Sequence, residues 1–122
     1  MNGNCLEATV IEGAPPACEL CADEAFAPVV TLHRYRMFDD ALAFVNDSRF
    51  GLQAGVFTRD LQLAMRAYAE LEVGGMMVNQ VPTFRVENMP YGGIKDSGFG
   101  REGVRYAMEE MTELKSLVMK LA

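Results

Sequence analysis

Apolar residues recur along this chain with two alternating periods. Phe38, Ala41, Leu42 and Val45 fall at i, i+3, i+4 and i+7, with Asp39 and Asp40 in the first turn. That spacing gathers the apolar side chains on one helical face and puts the carboxylates where the helix dipole favours them. It predicts an amphipathic helix ending near Asn46. Leu61, Ala64, Met65, Tyr68 and Leu71 repeat the pattern, with Thr58 or Asp60 available as cap and Gly74-Gly75 as terminator. Between these helices lie runs too short for a helix. Val29 to Tyr35 is rich in β-branched residues, Ala54 to Thr58 is a second run, and Met76 to Asn79 is apolar almost throughout, as a strand buried on both faces would be. Residues 28–79 therefore read strand–helix–strand–helix–strand. Such alternation produces parallel strands joined by right-handed crossovers, so the expected fold class is α/β with a partial parallel sheet. Residues 1–27, broken by Gly3, Gly13, Pro15 and Pro16, read as irregular apart from Ala8-Thr9-Val10-Ile11. Residues 80–100 read as a loop dense in Pro and Gly, of a length usually kept for function. A helix at about 101–110 and a last strand at Leu114–Leu121 complete the expectation.

Composition narrows the function. Half of the 122 residues are apolar and 23% are charged, enough apolar material to rule out a disordered chain and no more than one domain's worth of length. Seventeen acidic residues against eleven basic give a net charge of −6, a poor match for nucleic acid or an anionic membrane. No apolar run approaches the ~18 residues of a membrane span. Met1-Asn2-Gly3-Asn4-Cys5-Leu6-Glu7 has neither the basic nor the apolar region of a signal peptide. Three cysteines, an odd number, fit a reduced, cytoplasmic compartment better than a disulfide scaffold.

Three constellations carry possible chemistry. Cys18-Glu19-Leu20-Cys21 is a C-x-x-C, but a zinc site needs two further ligands, for which only Cys5 and the single histidine, His33, are available. Ordinary small side chains near a turn are the simpler reading, and no metal is expected. Gly98-Phe99-Gly100-Arg101-Glu102-Gly103 matches G-x-G-x-x-G literally. It lacks the preceding strand and the later acid of a dinucleotide fingerprint, so a glycine-rich lead into a helix is favoured. His33 is expected mid-strand, and Ser48, Ser97 and Ser116 have no nucleophile elbow around them. The residues alone assemble no complete active site, and no catalytic residue is assigned.

Three segments, in order and spacing, resemble the C-terminal part of the aldehyde dehydrogenase superfamily. Asp23-Glu24-Ala25-Phe26-Ala27-Pro28-Val29 is similar to the family's E-E-x-F-G-P-V. Asn46 to Thr58 is similar to N-x-x-x-[FY]-G-L-x-A-x-[VI]-[FW]-[TS]. Gly74-Gly75, Val78-Asn79 and Met89 to Glu102 resemble the stretch ending P-[FY]-G-G-x-K-x-S-G-x-G-R-E. The resemblance implies that residues 1–112 belong to a catalytic domain and residues 113–122 to a strand that adds to a neighbouring subunit's sheet, giving a homo-oligomer. It implies that Glu24 accepts hydrogen bonds from the nicotinamide ribose hydroxyls of NAD or NADP, with Phe26 packed near the nicotinamide. It implies that Asn79, Thr83, Phe84, Arg85 and Tyr91 line the channel for a small aldehyde, in the manner of the lactaldehyde, phosphonoacetaldehyde and non-phosphorylating glyceraldehyde-3-phosphate branch. There Arg85 is suited to a substrate anion.

The departures from the family pattern matter too. Its catalytic cysteine, activating glutamate, oxyanion asparagine and nucleotide-binding fold all lie N-terminal to the matched region, and Cys5, Cys18 and Cys21 do not match the nucleophile motif. Ala27 stands where the family has Gly. The expected function is therefore a fragment of an NAD(P)-dependent aldehyde dehydrogenase, inactive by itself. The alternative is a non-catalytic, homo-oligomerising α/β interaction module.

Overall fold

The computed structural model describes residues 3–121. Met1 and Asn2, and Ala122 at the end of the expected 113–122 strand, lie outside the described residues. The chain divides into two compact units, Met1–Arg49 and Phe50–Ala122. Each is built around one pair of parallel strands joined through a helix, so the α/β expectation holds within each unit.

In the first unit, β1 (Thr9–Glu12) pairs in parallel with β2 (Val29–Leu32), Thr9 opposite Val29 and Glu12 opposite Leu32. The short helix α1 (Glu19–Ala22) lies in the connection. Residues 1–27 are thus less irregular than their glycines and prolines predicted: the run at Ala8–Ile11 marks a real strand, and one turn of helix follows Pro15-Pro16. β2 ends at Leu32, so His33 lies one residue past the strand rather than inside it. Helix α2 (Phe38–Asn46) has the predicted limits. The Asp40 carboxylate accepts from the Met37 N–H at 3.3 Å, half of a capping box, and Leu42 is buried.

In the second unit, β4 (Gln53–Val56) pairs in parallel with β5 (Gly75–Val78), and α3 (Leu61–Glu70) forms the crossover. Asp60 caps α3, its Oδ1 accepting from the N–H groups of Gln62 at 2.8 Å and Leu63 at 3.3 Å. Two further short strands, β3 (Phe50–Gly51) and β6 (Ile94–Lys95), pair antiparallel. β6 forms inside the stretch expected to be loop, because the Gly51 N–H, bonded to Ser97 Oγ at 3.0 Å, draws that stretch back to the start of the unit. Helix α4 (Val104–Glu110) follows. Residues 113–121 carry no strand in this single chain, and Leu114, Leu117, Val118 and Leu121 are exposed.

The three-strand sheet predicted across residues 28–79 is instead two parallel pairs, β1–β2 and β4–β5, plus the antiparallel β3–β6 pair. The reason lies in what is buried. Among the described residues only Leu42, Ala64, Ala67 and Met77 form the apolar core. Helix α3 turns its small Ala64 and Ala67 inward and half-buries Leu71 at its end, whereas Leu61, Met65 and Tyr68, the other large members of its predicted stripe, are exposed. Val78 is exposed as well, so β5 is covered on one face only, not both. A compact monomer of this mass exposes about 6500 Å², and two separate bodies of these sizes roughly 7800 Å². This chain exposes 10373 Å².

Gly74 shows how tightly the second unit closes where it does pack. A Cβ at Gly74 would fall on the Gly92 carbonyl oxygen, which is backbone and cannot move aside. A Cβ on the neighbouring Gly75 would meet only the Gln53 side chain, at 3.3 Å or more, and Gln53 can turn away. Gly74→Ala is expected to cost about 1–3 kcal/mol in urea denaturation. Gly75→Ala is expected to cost clearly less; equal losses would show that the Gly74–Gly92 approach does not limit packing.

Candidate functional site

In the first unit, Glu24 and Phe26 stand on the loop between α1 and β2. The loop is held at both ends. On one side the Asp23 N–H closes onto the Glu19 carbonyl at 2.9 Å, and the Asp23 carboxylate pairs with Arg49 Nη1 at 3.2 Å. On the other, two tight turns, Ala27 N–H to Ala25 C=O at 2.8 Å and Val29 N–H to Ala27 C=O at 2.7 Å, lead into β2. Ala27 adopts no positive φ, since Asn79 and Lys95 are the only non-glycine residues that do among those described. The methyl that replaces the family glycine is therefore accommodated without strain. Between these anchors the Phe26 ring is 93% exposed and Glu24 is exposed, with no hydrogen-bond or ionic partner among the described residues. An exposed carboxylate on a pinned loop offers two acceptor oxygens, the complement of two neighbouring hydroxyls.

The second unit holds the other five residues in two groups. Asn79 sits at φ 56° just past β5. Its Oδ1 accepts from the Thr58 N–H and its Nδ2 donates to the Thr58 carbonyl, both at 2.8 Å. Its own N–H donates to the Val56 carbonyl at 2.8 Å. The carboxamide thus extends the β4–β5 pairing by imitating a strand residue, and it fixes where the following loop departs. Thr83 and Phe84 follow on that loop and are exposed, with the Phe84 N–H bonded to the Val81 carbonyl at 3.1 Å.

Arg85 and Tyr91 do come together. The guanidinium carbon of Arg85 lies 4.1 Å from the Tyr91 ring centroid, and Arg85 Nη2 donates to Glu102 Oε2 at 2.9 Å. Tyr91 and Glu102 face each other as an isolated antiparallel bridge, Tyr91 N–H to Glu102 C=O at 3.1 Å. Both acidic and basic side chains remain substantially exposed, so the ion pair itself contributes at most about 1 kcal/mol. Its effect is orientation: one nitrogen of the planar fork is taken, and the fork keeps further donors.

Sequence reasoning missed Glu102 as the partner of Arg85, and Arg49 as the residue that pins the Glu24 loop. Both pairings join residues seventeen or more positions apart. The one available signal was Tyr91 and Glu102 bracketing a glycine-rich stretch, which invites the chain to fold back on itself. Within that stretch Gly98, Gly100 and Gly103 all take positive φ, 132°, 68° and 122°. Arg101 Nη1 donates to the Gly93 and Gly100 carbonyls at 3.0 and 2.7 Å. The G-x-G-x-x-G match is therefore a backbone requirement of a closed loop leading into α4, as the glycine-rich reading expected.

Cys18 and Cys21 bracket the first turn of α1, and Cys21 Sγ lies 3.7 Å from His33 Nε2. Burial, and then its contact with Cys18, push the Cys21 thiol above its ordinary pKa. Among the described residues no three His, Cys, Asp or Glu side chains converge as a metal site, and no helix is long and apolar enough to cross a membrane.

Comparison with known proteins gives one consistent result. The model of the aldehyde dehydrogenase family matches residues 1–117. The chain is 48% identical over 113 residues to 3-sulfolactaldehyde dehydrogenase of Priestia aryabhattai, covering 93% of this chain and 24% of that protein. It is 49% identical over 96 residues to lactaldehyde dehydrogenase of Methanococcus maripaludis, covering 79% of this chain and 21% of that protein. The chain thus spans about a quarter of the length of the curated relatives it matches. Among solved structures it superposes with a TM-score of 0.93 on aldehyde dehydrogenase 21 of Physcomitrella patens, determined with the reaction product succinate. The identity is 47%, over 98% of this chain and 25% of that one. It superposes at 0.80 on the glyceraldehyde-3-phosphate dehydrogenase of Methanocaldococcus jannaschii complexed with NADP, at 40% identity over 87% of this chain and 23% of that one.

Proposed function

The chain belongs to the aldehyde dehydrogenase family, and on that premise we propose that it is the C-terminal part of the catalytic domain of an NAD(P)-dependent aldehyde dehydrogenase. Residues 1–112 belong to that domain, and residues 113–122 form a strand that pairs with a neighbouring subunit in a homo-oligomer. The tail's unpaired backbone and exposed Leu114, Leu117, Val118 and Leu121 support that assignment. A cytoplasmic location accords with the acidic charge and free cysteines.

The observation that carries the reading is the Glu24 loop. The carboxylate is exposed, unpartnered and pinned from both sides, with a solvent-facing aromatic two residues on. That donor set fits a nucleotide ribose: Glu24 accepts from the two hydroxyls, and Phe26 limits how far the adjoining ring can swing. When bound, the nicotinamide supplies a hydride acceptor. Toward the aldehyde, the ribose clamp and the channel wall supply position.

On the substrate side, Asn79 sets the departure of the 80–90 loop, Thr83 and Phe84 form its exposed wall, and Tyr91 steadies Arg85. Several relatives act on aldehydes named for a sulfonate or a carboxylate, among them sulfoacetaldehyde and aspartate semialdehyde. The free donors of Arg85 are suited to such an anion. The substrate class is therefore a small aldehyde carrying an anionic group, oxidised to its acid.

Two outcomes are expected in the intact enzyme that contains this segment. Glu24→Gln raises KM for NAD(P) about tenfold or more, since a charge-assisted hydrogen bond is worth about 1.5–3 kcal/mol; an unchanged KM removes Glu24 from the clamp. Arg85→Gln raises KM for sulfoacetaldehyde by a similar factor while leaving that for the uncharged lactaldehyde within about twofold. Equal effects on both aldehydes would contradict the anion role.

A further inference from the structure

The aldehyde chemistry leaves Cys18 and Cys21 without a role. They sit three residues apart at the start of α1, where the Cys21 N–H donates to the Cys18 carbonyl at 2.9 Å. A closed turn of this kind keeps the two Cα atoms within about 7 Å, which overlaps the 4.4–6.8 Å span of a disulfide. Both residues are half-buried with free thiols. Cys21 Sγ also faces His33 Nε2 at 3.7 Å, a ring nitrogen placed to receive its proton. A cleft of about 530 Å³ opens onto Cys21 and is lined by Pro16, Thr31, Phe44 and Val45, among others.

We infer that Cys18 and Cys21 form a dithiol that closes to an intramolecular disulfide by exchange with a small disulfide such as oxidised glutathione. In the first step Cys18 Sγ, as thiolate, attacks one glutathione sulfur. A Cys18–glutathione mixed disulfide forms, and one glutathione thiolate leaves and is protonated. In the second step Cys21 Sγ gives its proton to His33 Nε2 and attacks Cys18 Sγ. The Cys18–Cys21 bond forms, the second glutathione leaves, and it recovers the proton by way of His33. Two protein thiols are oxidised and one glutathione disulfide is reduced to two thiols, so atoms and electrons balance. Cys18 comes first because Cys21 is held protonated by burial and by its neighbour, and is better suited to resolve the mixed disulfide than to open the reaction.

The test uses the full 122-residue chain with Cys5→Ser, which removes the exposed third thiol, incubated with oxidised glutathione and read by intact-mass spectrometry. The expected product has lost two hydrogens and carries no glutathione. Adding Cys21→Ser is expected to trap one glutathione on Cys18, and His33→Gln is expected to slow closure severalfold at neutral pH while leaving the first step unchanged. A product carrying two glutathiones, or an unchanged mass, overturns the proposal. So does an equal closure rate in His33→Gln, which would remove the proton step assigned to it.

Discussion

Buried apolar surface is the quantity in shortest supply in this molecule, and the rest of its structure follows from that. Leu42, Ala64, Ala67 and Met77 are the buried apolar side chains among the described residues. At about 25 cal/mol per Å² of apolar surface, so few side chains offset little of the backbone entropy that ordering the chain requires. What order there is comes from local closure: the Asp60 cap, the reciprocal Asn79–Thr58 pair, the Gly74–Gly92 approach and the Tyr91–Glu102 bridge. Each of these draws in backbone rather than building a core. The large apolar residues, Met65 and Tyr68 on α3 and Leu114 to Leu121 in the tail, are left facing outward. Exposed apolar surfaces of that kind are suited to burial against other protein surface.

That constraint also explains which parts of the fold were legible in the sequence. The limits of α2 and the cap of α3 follow from neighbouring residues alone: apolar spacing in one case, an Asp two positions before the first free N–H in the other. Strand partnership does not. The run at Val29 could be assigned as a strand, but its pairing with Thr9 depends on residues twenty positions away in a stretch dominated by glycine and proline. The stripe on α3 was half right, with Ala64 buried and Leu71 half-buried but Leu61, Met65 and Tyr68 exposed, because periodicity tells which residues share a face and not what that face meets.

The candidate site divides along the same line. Glu24, Phe26 and the channel residues came from resemblance in motif and order, since composition and spacing alone assembled no active site. Geometry then gave the seven residues distinct kinds of work. Glu24 and Phe26 are presented outward by a loop with fixed ends, Asn79 is taken into the backbone framework, and Arg85 is oriented by Tyr91 and Glu102. An arginine with a carboxylate already beside it is not a vacant anion hole. The glycine-rich stretch has the converse lesson: a literal nucleotide-binding pattern is accounted for by three positive φ angles and an arginine that ties its carbonyls together.

The central claim is that this segment is only marginally stable by itself and gains most of its stability when the rest of an aldehyde dehydrogenase covers it. Amide hydrogen exchange of the 122-residue chain across Gln53–Val56 and Gly75–Val78, followed by mass spectrometry, tests it most directly. The account predicts that these paired strands are only weakly protected in isolation and become protected by further orders of magnitude in the longer enzyme. Strong protection of both strands in the isolated chain would contradict it.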